Sequence, residues 1–448
     1  MSDRSAAVAV SNPTGASPWP AGISPTREYQ AAWDFLKTGD GHLFVTGRAG
    51  TGKSTLLTCL RELLSDEMVI LAPTGLAAVN VGGQTIHSFF GFPPRLIRPD
   101  DIRRSRNGRL MRRLKFLVID EVSMVRSDLM WAIDQSLRIN RGRPREAFGG
   151  VRLALFGDLH QLPPVVNDAE VAEHLESQFG GPFFFSLPAL GEGAGTSLIE
   201  LEQVFRQKDA ALLDVLNKIR EGEAEEDDLV LLNTRVHPIQ KLDEGEDYVI
   251  LTPTNAAAAR INTRYLERLS VAQLTYQAAT TGEFSQTAQP TDATLTLKVG
   301  AKVMLLRNDP DRRWVNGTIA RVSRLEEDRV WIEVDGDEHE VEQAAWESRR
   351  YAFDKDAEKI VETVVGTFQQ FPLRLAWALT IHKSQGLTLD KVYIDLTGGG
   401  TFAHGQAYVA LSRCRTLNGL SLARPLRPTD IMFDPAATGY RRTFAALG

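Results

Sequence analysis

In the first 200 residues, short and almost continuously apolar runs alternate with helical patterns. The apolar runs cover residues 42–46, 68–72, 116–119 and 151–156. Short runs without polar alternation are typical of strands that are buried on both faces of a parallel sheet. A helical pattern such as residues 54–64 follows. The pattern therefore predicts a doubly wound α/β domain whose ligand lies at the carboxyl ends of the strands.

A second series of the same kind begins near Leu201. It predicts helices over residues 210–220, 256–269 and 406–412, and strands over residues 248–252 and 392–395. Strands that alternate with helices predict another parallel sheet. We therefore expect two α/β lobes of similar architecture.

The pattern of polar and apolar residues changes between residues 295 and 370. Segments that alternate polar and apolar residues cover 301–306, 318–322 and 330–334, and turn sequences separate them. The Asp335-Gly336 pair lies between two such segments and predicts a tight hairpin. The region is therefore predicted to be an all-β insertion within the second lobe.

The chain has 448 residues, which is too long for one ordinary hydrophobic core. We predict a disordered tail (1–22), a first lobe (23–199), a second lobe (200–294 and 371–448) and the β insertion (295–370). No apolar run is long enough to span a membrane. The two cysteines, Cys59 and Cys414, are far apart and have no partner at metal-ligand spacing, which indicates a reducing, cytoplasmic compartment.

Charge is unevenly distributed along the chain. The net charge of −6 argues mildly against a dedicated nucleic-acid binder. Residues 95–115, however, contain nine basic and two acidic residues. A run of this kind is most often a solvated helix face. By itself it therefore does not indicate nucleic-acid binding.

The candidate chemistry begins with a complete phosphate-binding motif, Gly47-Arg48-Ala49-Gly50-Thr51-Gly52-Lys53-Ser54, placed between a strand and a helix. Glycines let successive backbone N–H groups converge on phosphate oxygens at a helix N-terminus. Lys53 would contact the terminal phosphates, and the Ser54 hydroxyl could ligate Mg²⁺. The predicted nucleotide contacts are Gly47, Ala49, Gly50, Thr51, Gly52, Lys53, Ser54 and Thr55. A chance glycine-rich turn is the weaker alternative.

A pair of carboxylates follows the strand at 116–119. Asp120 is predicted to hold Mg²⁺, and Glu121 to polarise the attacking water. Nucleotide kinases generally lack such a glutamate, so the pair favours ATP hydrolysis. Two arginines from the second half, Arg206 and Arg413, are candidates to stabilise charge on the transferred phosphoryl group. Each could instead be a surface ion pair.

Further motifs follow in a fixed order. They are Tyr29-Gln30, the phosphate-binding loop, Ala72-Pro73-Thr74-Gly75, Thr85-Ile86-His87-Ser88-Phe89, Asp120-Glu121-Val122-Ser123-Met124, Gly157-Asp158-Leu159-His160-Gln161-Leu162-Pro163-Pro164, Phe205-Arg206-Gln207, Thr380-Ile381-His382-Lys383-Ser384-Gln385-Gly386 and Tyr408-Val409-Ala410-Leu411-Ser412-Arg413. This set resembles superfamily 1 helicases of the 5′→3′ class, and within it the Pif (petite integration frequency) family. RecD-like helicases are the second choice. The resemblance covers about residues 26 to 420.

The resemblance implies a role for each matching residue. Gln30 is implied to read adenine, Gly386 to contact the nucleotide, and Gln161 to sense the γ-phosphate. Arg206 and Arg413 are implied to contact phosphate. The implied contacts to single-stranded DNA are Thr74, Gly75, Thr85, His87, Phe89, His160, Thr254, Thr380, His382 and Lys383. Taken alone, the histidines could equally be structural residues.

Two regions change meaning with the resemblance. The basic segment lies in an interval, about residues 88–115, that holds a duplex-splitting wedge in this family. The β insertion resembles an SH3-like accessory domain that flanks the DNA channel. Trp314 at its first hairpin could stack on a base or belong to the core, and both readings stay open.

The expected fold is thus two RecA-like P-loop lobes with a wedge element and an SH3-like insertion. The expected function is a monomeric, ATP- and Mg²⁺-dependent DNA helicase that moves 5′→3′, with polarity implied only by the resemblance. Its expected partners are single-stranded DNA, tailed or forked duplex, and G-quadruplex as a further candidate. A nucleic-acid-independent P-loop ATPase or kinase and a non-catalytic DNA-binding scaffold are the rival functions.

Overall fold

A computed structural model describes residues 19, 23, 25–48, 50–64, 67–105, 107–166, 168–191, 194–202, 209–238, 248–354, 356–357, 359–398, 400–401 and 403–447. The helices are α1 (Arg27–Thr38), α2 (Lys53–Leu64), α3 (Gly75–Asn80), α4 (Ile86–Phe90), α5 (Gly108–Arg113), α6 (Ser127–Arg141), α7 (Ala169–Phe179), α8 (Ala210–Glu221), α9 (Glu226–Asn233), α10 (Asn255–Arg268), α11 (Gln406–Leu411) and α12 (Pro435–Gly439).

The strands of the two lobes are β1 (His42–Gly47), β2 (Met68–Ala72), β3 (Gln84–Thr85), β4 (Phe116–Ile119), β5 (Arg152–Phe156), β6 (Thr196–Leu201), β7 (Val249–Thr252), β18 (Ala378–Thr380), β19 (Val392–Ile394), β20 (Leu420–Leu422) and β21 (Ala445–Ala446). The remaining strands are β8 (Gln273–Gln277), β9 (Ala279–Gly282), β10 (Thr294–Lys298), β11 (Lys302–Leu305), β12 (Ile319–Leu325), β13 (Val330–Val334), β14 (Asp337–Val341), β15 (Ala344–Asp354), β16 (Lys359–Gln370) and β17 (Leu373–Leu375).

The first lobe is built on a seven-stranded parallel sheet in the order β21-β6-β1-β5-β4-β2-β3. Successive side chains of β1 enter different cores. Phe44 packs with the helices of one face, whereas Leu43 and Val45 pack with α1 and α2 on the other. Burial on both faces explains why this strand is an apolar run without alternation.

The C-terminal segment also belongs to the first lobe. Strand β21 pairs with β6, and the side chains of Tyr440 and Phe444 pack against Phe44 in the first-lobe core. The predicted domain division had placed residues 371–448 in the second lobe. The structure differs at its end, because residues 435–447 return to the edge of the first sheet.

The second lobe contains a four-stranded parallel sheet in the order β18-β7-β19-β20. Helices α8 and α11 pack on this sheet through a core that includes Leu216, Val409 and Leu251. Leu162, from the first half of the chain, is buried in the same core. The segment that follows β5 therefore packs against the second lobe and connects the two lobes.

The β insertion contains a five-stranded antiparallel sheet in the order β14-β13-β12-β11-β17. Asp335 and Gly336 both have positive φ (54° and 92°) in the turn between β13 and β14. That geometry is a two-residue hairpin turn, as the Asp-Gly pair predicted. The Trp314 side chain is buried in the core of this sheet, with the Arg313 guanidinium over its ring. The structure thus assigns Trp314 to the core.

A long hairpin of β15 and β16 extends from the insertion and docks on the first lobe. The Tyr351 hydroxyl accepts a hydrogen bond from Ile70 N (3.1 Å), and Tyr351 and Ile360 are both buried in the first-lobe core. At the rim, Arg61 pairs with Glu362 (2.6 Å). The hairpin therefore ties the accessory sheet to the first lobe.

Two parallel sheets with separate antiparallel sheets confirm the predicted fold class. In the part of the chain that the structure describes, no helix is long and apolar enough to cross a membrane.

Candidate nucleotide and DNA site

The phosphate-binding loop follows β1 at the carboxyl edge of the first sheet. Gly47, Gly50 and Gly52 all have positive φ (152°, 83° and 89°), which glycine adopts without steric cost. The Tyr29 hydroxyl donates a hydrogen bond to Gly52 O (2.7 Å) and lies where a Cβ at Gly52 would be, 2.3 Å away. Tyr29 thus supports the loop, a role that the motif analysis did not assign to it.

Lys53 opens α2, and its ammonium group is already hydrogen-bonded within the loop. Its Nζ donates to Gly47 O (2.6 Å) and Arg48 O (3.1 Å). Burial lowers the pKa of Lys53, although Asp158, Glu121 and Asp120 oppose the decrease. Ser54 and Thr55 follow in the first turn of α2, and both are exposed. Ala49 lies outside the residues that the structure describes.

Asp120 and Glu121 follow β4, in the middle of the same sheet edge. Glu121 adopts a left-handed backbone conformation (φ 49°), which is uncommon for a residue other than glycine. Burial raises the pKa of Asp120 to about 6. Burial and the neighbouring Asp120 raise the pKa of Glu121 to about 7. The two carboxylates thus form a half-buried site of excess negative charge.

A cation would offset that charge. In the described part of the chain there is no group of three or more His, Cys, Asp or Glu side chains that could hold a metal ion. A magnesium site built from Asp120 and Ser54 would therefore need ligands from phosphates and water. Magnesium is commonly bound in this way in nucleotide sites, so the residues present fit the ion.

Gln161 and Gln385 connect the two lobes beside these carboxylates. Gln161 Nε2 donates to Asp158 Oδ2 (3.0 Å), and Gln385 Nε2 lies 3.0 Å from Gln161 Oε1 and 3.1 Å from Glu121 Oε2. Gln385 belongs to the second lobe, whereas its two acceptors belong to the first. Sequence reasoning gave Gln385 no role, although it lies within a quoted motif.

Asp158 is held by a buried arginine that no motif revealed. Arg220, near the end of α8, places its guanidinium 3.6 Å from the Asp158 carboxylate, and both side chains are buried. Burial opposes ionisation, but Arg220 and Lys53 outweigh it and lower the pKa of Asp158 to about 2. Arg220 occupies an ordinary position in an amphipathic helix, so the sequence carried no signal for it.

Arg413 is completely buried behind the site. Its guanidinium donates to Val409 O (2.8 Å), Leu387 O (3.1 Å) and Ser384 O (3.3 Å). In this conformation it supports the turn that carries Gln385. Its charge also opposes, in part, the rise in the pKa of Glu121. Arg206 lies outside the described residues.

Gln30 lies on α1 beside the phosphate-binding loop. Its Oε1 accepts a hydrogen bond from Trp19 Nε1 (3.1 Å), and its Nε2 donates to Asp34 (2.9 Å). Trp19 belongs to the segment predicted as a disordered tail, yet its side chain is buried against Tyr29. The other tail residues, 1–18 and 20–22, lie outside the described part. Gly386, with φ 81°, is exposed next to Gln385.

Among the predicted DNA contacts, Thr74 and Thr254 occupy equivalent places in the two lobes. Each follows a parallel strand and caps a helix: Thr74 Oγ1 accepts from Ala77 N (3.2 Å), and Thr254 Oγ1 from Ala257 N (3.3 Å). Both are exposed. Helix N-termini attract phosphate groups. The two threonines are thus well placed for a DNA backbone.

The other predicted contacts of the first lobe lie nearby. Thr85 caps α4, and His87 is half-buried, with a pKa that burial lowers. Gly75 packs so closely against Ala288 of the accessory region that an added Cβ would lie 2.7 Å from Ala288 Cβ. In the second lobe, His382 also has a pKa that burial lowers, and Lys383 is exposed.

Three of the predicted DNA contacts have buried side chains in this DNA-free arrangement. Phe89 is 2% exposed within the first-lobe core, and His160 is 1% exposed with its Nδ1 2.7 Å from Arg220 O. Thr380 is 3% exposed, and its hydroxyl accepts from Lys383 N. Buried side chains cannot touch a strand on the surface. These residues shape the site from beneath.

Some basic side chains of the segment at 95–115 contact other groups of the chain, and others are exposed. Arg95 pairs with Asp101, Lys115 pairs with Glu67, and Arg113 lies over the Phe353 ring of the docked hairpin. Arg103, Arg104 and Arg109 are exposed. These three form the surface that we call the basic patch.

Taken together, two parallel-sheet lobes meet at a phosphate-binding loop and a pair of half-buried carboxylates. That arrangement defines the class of P-loop nucleoside triphosphatases with two RecA-like lobes. Comparison with known proteins gives the family. The model of the PIF1-like helicase family matches residues 29–228.

The ATP-dependent DNA helicase Pif1 of Bdellovibrio bacteriovorus is 35% identical over 445 residues, covering 95% of each chain. The human ATP-dependent DNA helicase PIF1 is 33% identical over 417 residues, which cover 90% of this chain and 61% of that protein. The chain belongs to the PIF1-like helicase family, and its enzyme class is that of ATP-dependent DNA helicases. The expected family is confirmed, in preference to the RecD-like helicases.

Solved structures agree. The Bacteroides sp Pif1 in complex with ADP-AlF4 has a TM-score of 0.86 and 36% identity, covering 94% of this chain and 97% of that one. The unliganded form of the same protein also scores 0.86. The ssDNA-bound form scores 0.65 at the same identity and coverage. The arrangement of this chain is therefore that of the two forms described without DNA.

Proposed function

We propose that this chain is an ATP-driven helicase that moves 5′→3′ along single-stranded DNA and opens tailed or forked duplexes. The observation that carries the proposal is the contact between Glu121 of the first lobe and Gln385 of the second. The segment that holds Gln385 also holds the predicted DNA contacts His382 and Lys383. One hydrogen bond therefore connects the proposed hydrolytic base to the segment that carries the proposed DNA contacts.

In the proposed chemistry, ATP lies with its phosphates on the loop from Gly47 to Ser54 and its adenine against Gln30. Lys53 exchanges its loop carbonyls for the terminal phosphates, because charged oxygens are better acceptors. Glu121 accepts a proton from the attacking water. Mg²⁺, held by Ser54 and Asp120, would supply positive charge to the phosphate oxygens. Arg206 and Arg413 are the proposed phosphate-contacting arginines.

The proposed DNA track runs over the carboxyl edges of both sheets. Thr74, with Gly75, Thr85 and His87, serves the first lobe, and Thr254, with His382 and Lys383, serves the second. Alternating grip by the two sets, timed by opening and closing of the nucleotide cleft, would move the strand. The direction of travel rests on family membership.

The DNA-free arrangement supports a rearrangement on DNA binding. Ala288, in the segment between β9 and β10, packs on Gly75. This segment therefore covers part of the proposed DNA track. The lower TM-score against the ssDNA-bound relative is consistent with a different placement of such parts. Binding of a DNA strand would therefore compete with docking of the Ala288 segment on the first lobe.

Stimulation of ATP hydrolysis by single-stranded DNA tests the coupling. A motor that grips DNA with the segment beside Glu121 should hydrolyse ATP much faster with an oligonucleotide than without it. A nucleic-acid-independent ATPase would show equal steady-state rates under both conditions, and that result would exclude the proposal.

The basic patch gives a prediction about salt. Replacing Arg103, Arg104 and Arg109 with glutamine should weaken DNA binding at low salt. It should also reduce the steepness of log Kd against log salt by about 2–3, since each phosphate contact contributes about 0.9. Fluorescence anisotropy of a labelled forked duplex over a salt series measures this.

A control replaces the exposed arginines Arg324 and Arg329, in the β insertion and outside the basic segment, with glutamine. Their replacement should leave the slope unchanged. An unaltered slope in the patch variant would show that residues 95–115 form only a solvated surface.

Partner preferences extend the proposal. Family membership supports single-stranded and forked DNA as partners, because Pif1 relatives are described with ssDNA and at forked dsDNA. G-quadruplex binding and action as a monomer remain our proposals. Both cysteines are free and buried, which supports a reducing, cytoplasmic location.

A further inference from the structure

We propose that Gln385 is a positioning residue through which single-stranded DNA stimulates ATP hydrolysis. The inference rests on the proposed function and assigns its coupling to one side chain. Through Glu121 and Gln161, Gln385 would act on the reacting groups without touching the nucleotide itself.

The first argument is the geometry of the amide. Gln385 Nε2 lies 3.1 Å from Glu121 Oε2 and 3.0 Å from Gln161 Oε1. An amide nitrogen carries two hydrogens, so it can donate one to each acceptor. One side chain of the second lobe therefore fixes the positions of two polar groups of the first.

The second argument is that one of the two acceptors, Gln161, is held in place. Gln161 Nε2 donates to Asp158 Oδ2 (3.0 Å), which turns the Gln161 carbonyl toward Gln385. Asp158 is fixed in turn by the buried Arg220. Because Gln161 is held in this way, movement of Gln385 would change the position of its other acceptor, the Glu121 carboxylate.

The third argument is the stiffness of the turn that carries Gln385. Ser384 N donates to Thr380 O (3.0 Å), Gln385 N to His382 O (3.1 Å), and Leu387 N to Ser384 O (3.0 Å). Arg413 adds hydrogen bonds to the carbonyls of Ser384 and Leu387 on either side of Gln385. A shift of His382 and Lys383 by a bound strand would therefore be passed to Gln385.

These contacts give DNA a short path to the hydrolytic base. In the DNA-free arrangement the amide already contacts Glu121, so the position of the turn decides where that carboxylate lies. With DNA bound, the amide would set the Glu121 carboxylate for proton transfer. Loss of the amide should then lower the stimulated rate by a larger factor than the basal rate.

The test uses the full chain with Gln385→Met, which keeps the side-chain length and removes both donors. We expect the DNA-stimulated kcat to fall about tenfold or more, since a misplaced base loses much of its contribution. KM for ATP and Kd for single-stranded DNA should stay within about threefold, so that the loss falls on kcat. Gln369→Met, on the exposed face of β16, is the matched control and should change none of these values.

A second variant guards against a folding defect. Gln385→Glu keeps the polar shape but places a carboxylate beside Glu121, so it should lose at least as much stimulation with an unchanged thermal midpoint. Full stimulation in either variant would overturn the inference, as would a loss explained by weaker ATP or DNA binding. If the wild-type chain is not stimulated by DNA, the proposed function itself fails.

Discussion

Replacing Glu121 with glutamine should reduce DNA-stimulated ATP hydrolysis by about 10²–10⁴-fold, the usual contribution of a general base. The amide has nearly the same shape and can still accept a hydrogen bond from Gln385, but it cannot take a proton from water. ATP binding should survive, because the phosphates are held by the loop and by Lys53. Single-turnover hydrolysis and nucleotide binding measured in parallel would separate the two effects.

Glu173→Gln is the matched control, since Glu173 is an exposed glutamate on α7. It should hydrolyse ATP at the wild-type rate. A Glu121→Gln variant with wild-type turnover would mean that another group activates the water.

Replacing Lys53 with methionine should lower kcat by about 10²–10³-fold, the scale for removing one charged donor from a transition state. ATP affinity should fall as well, in contrast to Glu121→Gln, because we propose that Lys53 contacts the phosphates both before and during transfer. In the structure its Nζ is held by two loop carbonyls, so no rearrangement of the backbone is needed to present it. Steady-state kinetics would give kcat and KM separately.

Lys37→Met provides the comparison, because Lys37 is exposed on α1 and lies over the Trp33 ring away from the loop. Its kinetics should be those of the wild-type chain. Normal turnover in Lys53→Met would place the ATPase activity at a different site.

The parallel-sheet core could be predicted from the sequence because its signal is local. The apolar runs at 68–72 and 116–119 coincide with β2 and β4, since strands buried on both faces leave no room for polar residues. The Asp335-Gly336 turn could also be predicted, because few residue pairs tolerate two positive φ values.

Long-range packing left no such signal. The return of residues 435–447 to the first lobe depends on a two-residue strand and on Tyr440 and Phe444 meeting Phe44. Docking of the β15–β16 hairpin depends on one tyrosine hydroxyl finding a free backbone N–H of β2. Neither contact has a period or a spacing along the chain.

The site shows the same limit at the level of single residues. Motif positions located the loop, the carboxylates and the capping threonines, but a motif does not tell which way a side chain points. Phe89 and His160 therefore appeared as DNA contacts although they are buried. Gln385, in the middle of a motif, was overlooked because its role depends on two partners from the other lobe.

The most direct test of the central claim is unwinding of matched duplexes that carry either a 5′ or a 3′ single-stranded tail. With ATP and Mg²⁺, the chain should separate the 5′-tailed duplex and leave the 3′-tailed one paired, and Lys53→Met should separate neither. Preferential unwinding from the 3′ tail would contradict the proposed direction. Failure on both substrates, despite hydrolysis of ATP, would contradict the assignment as a DNA helicase.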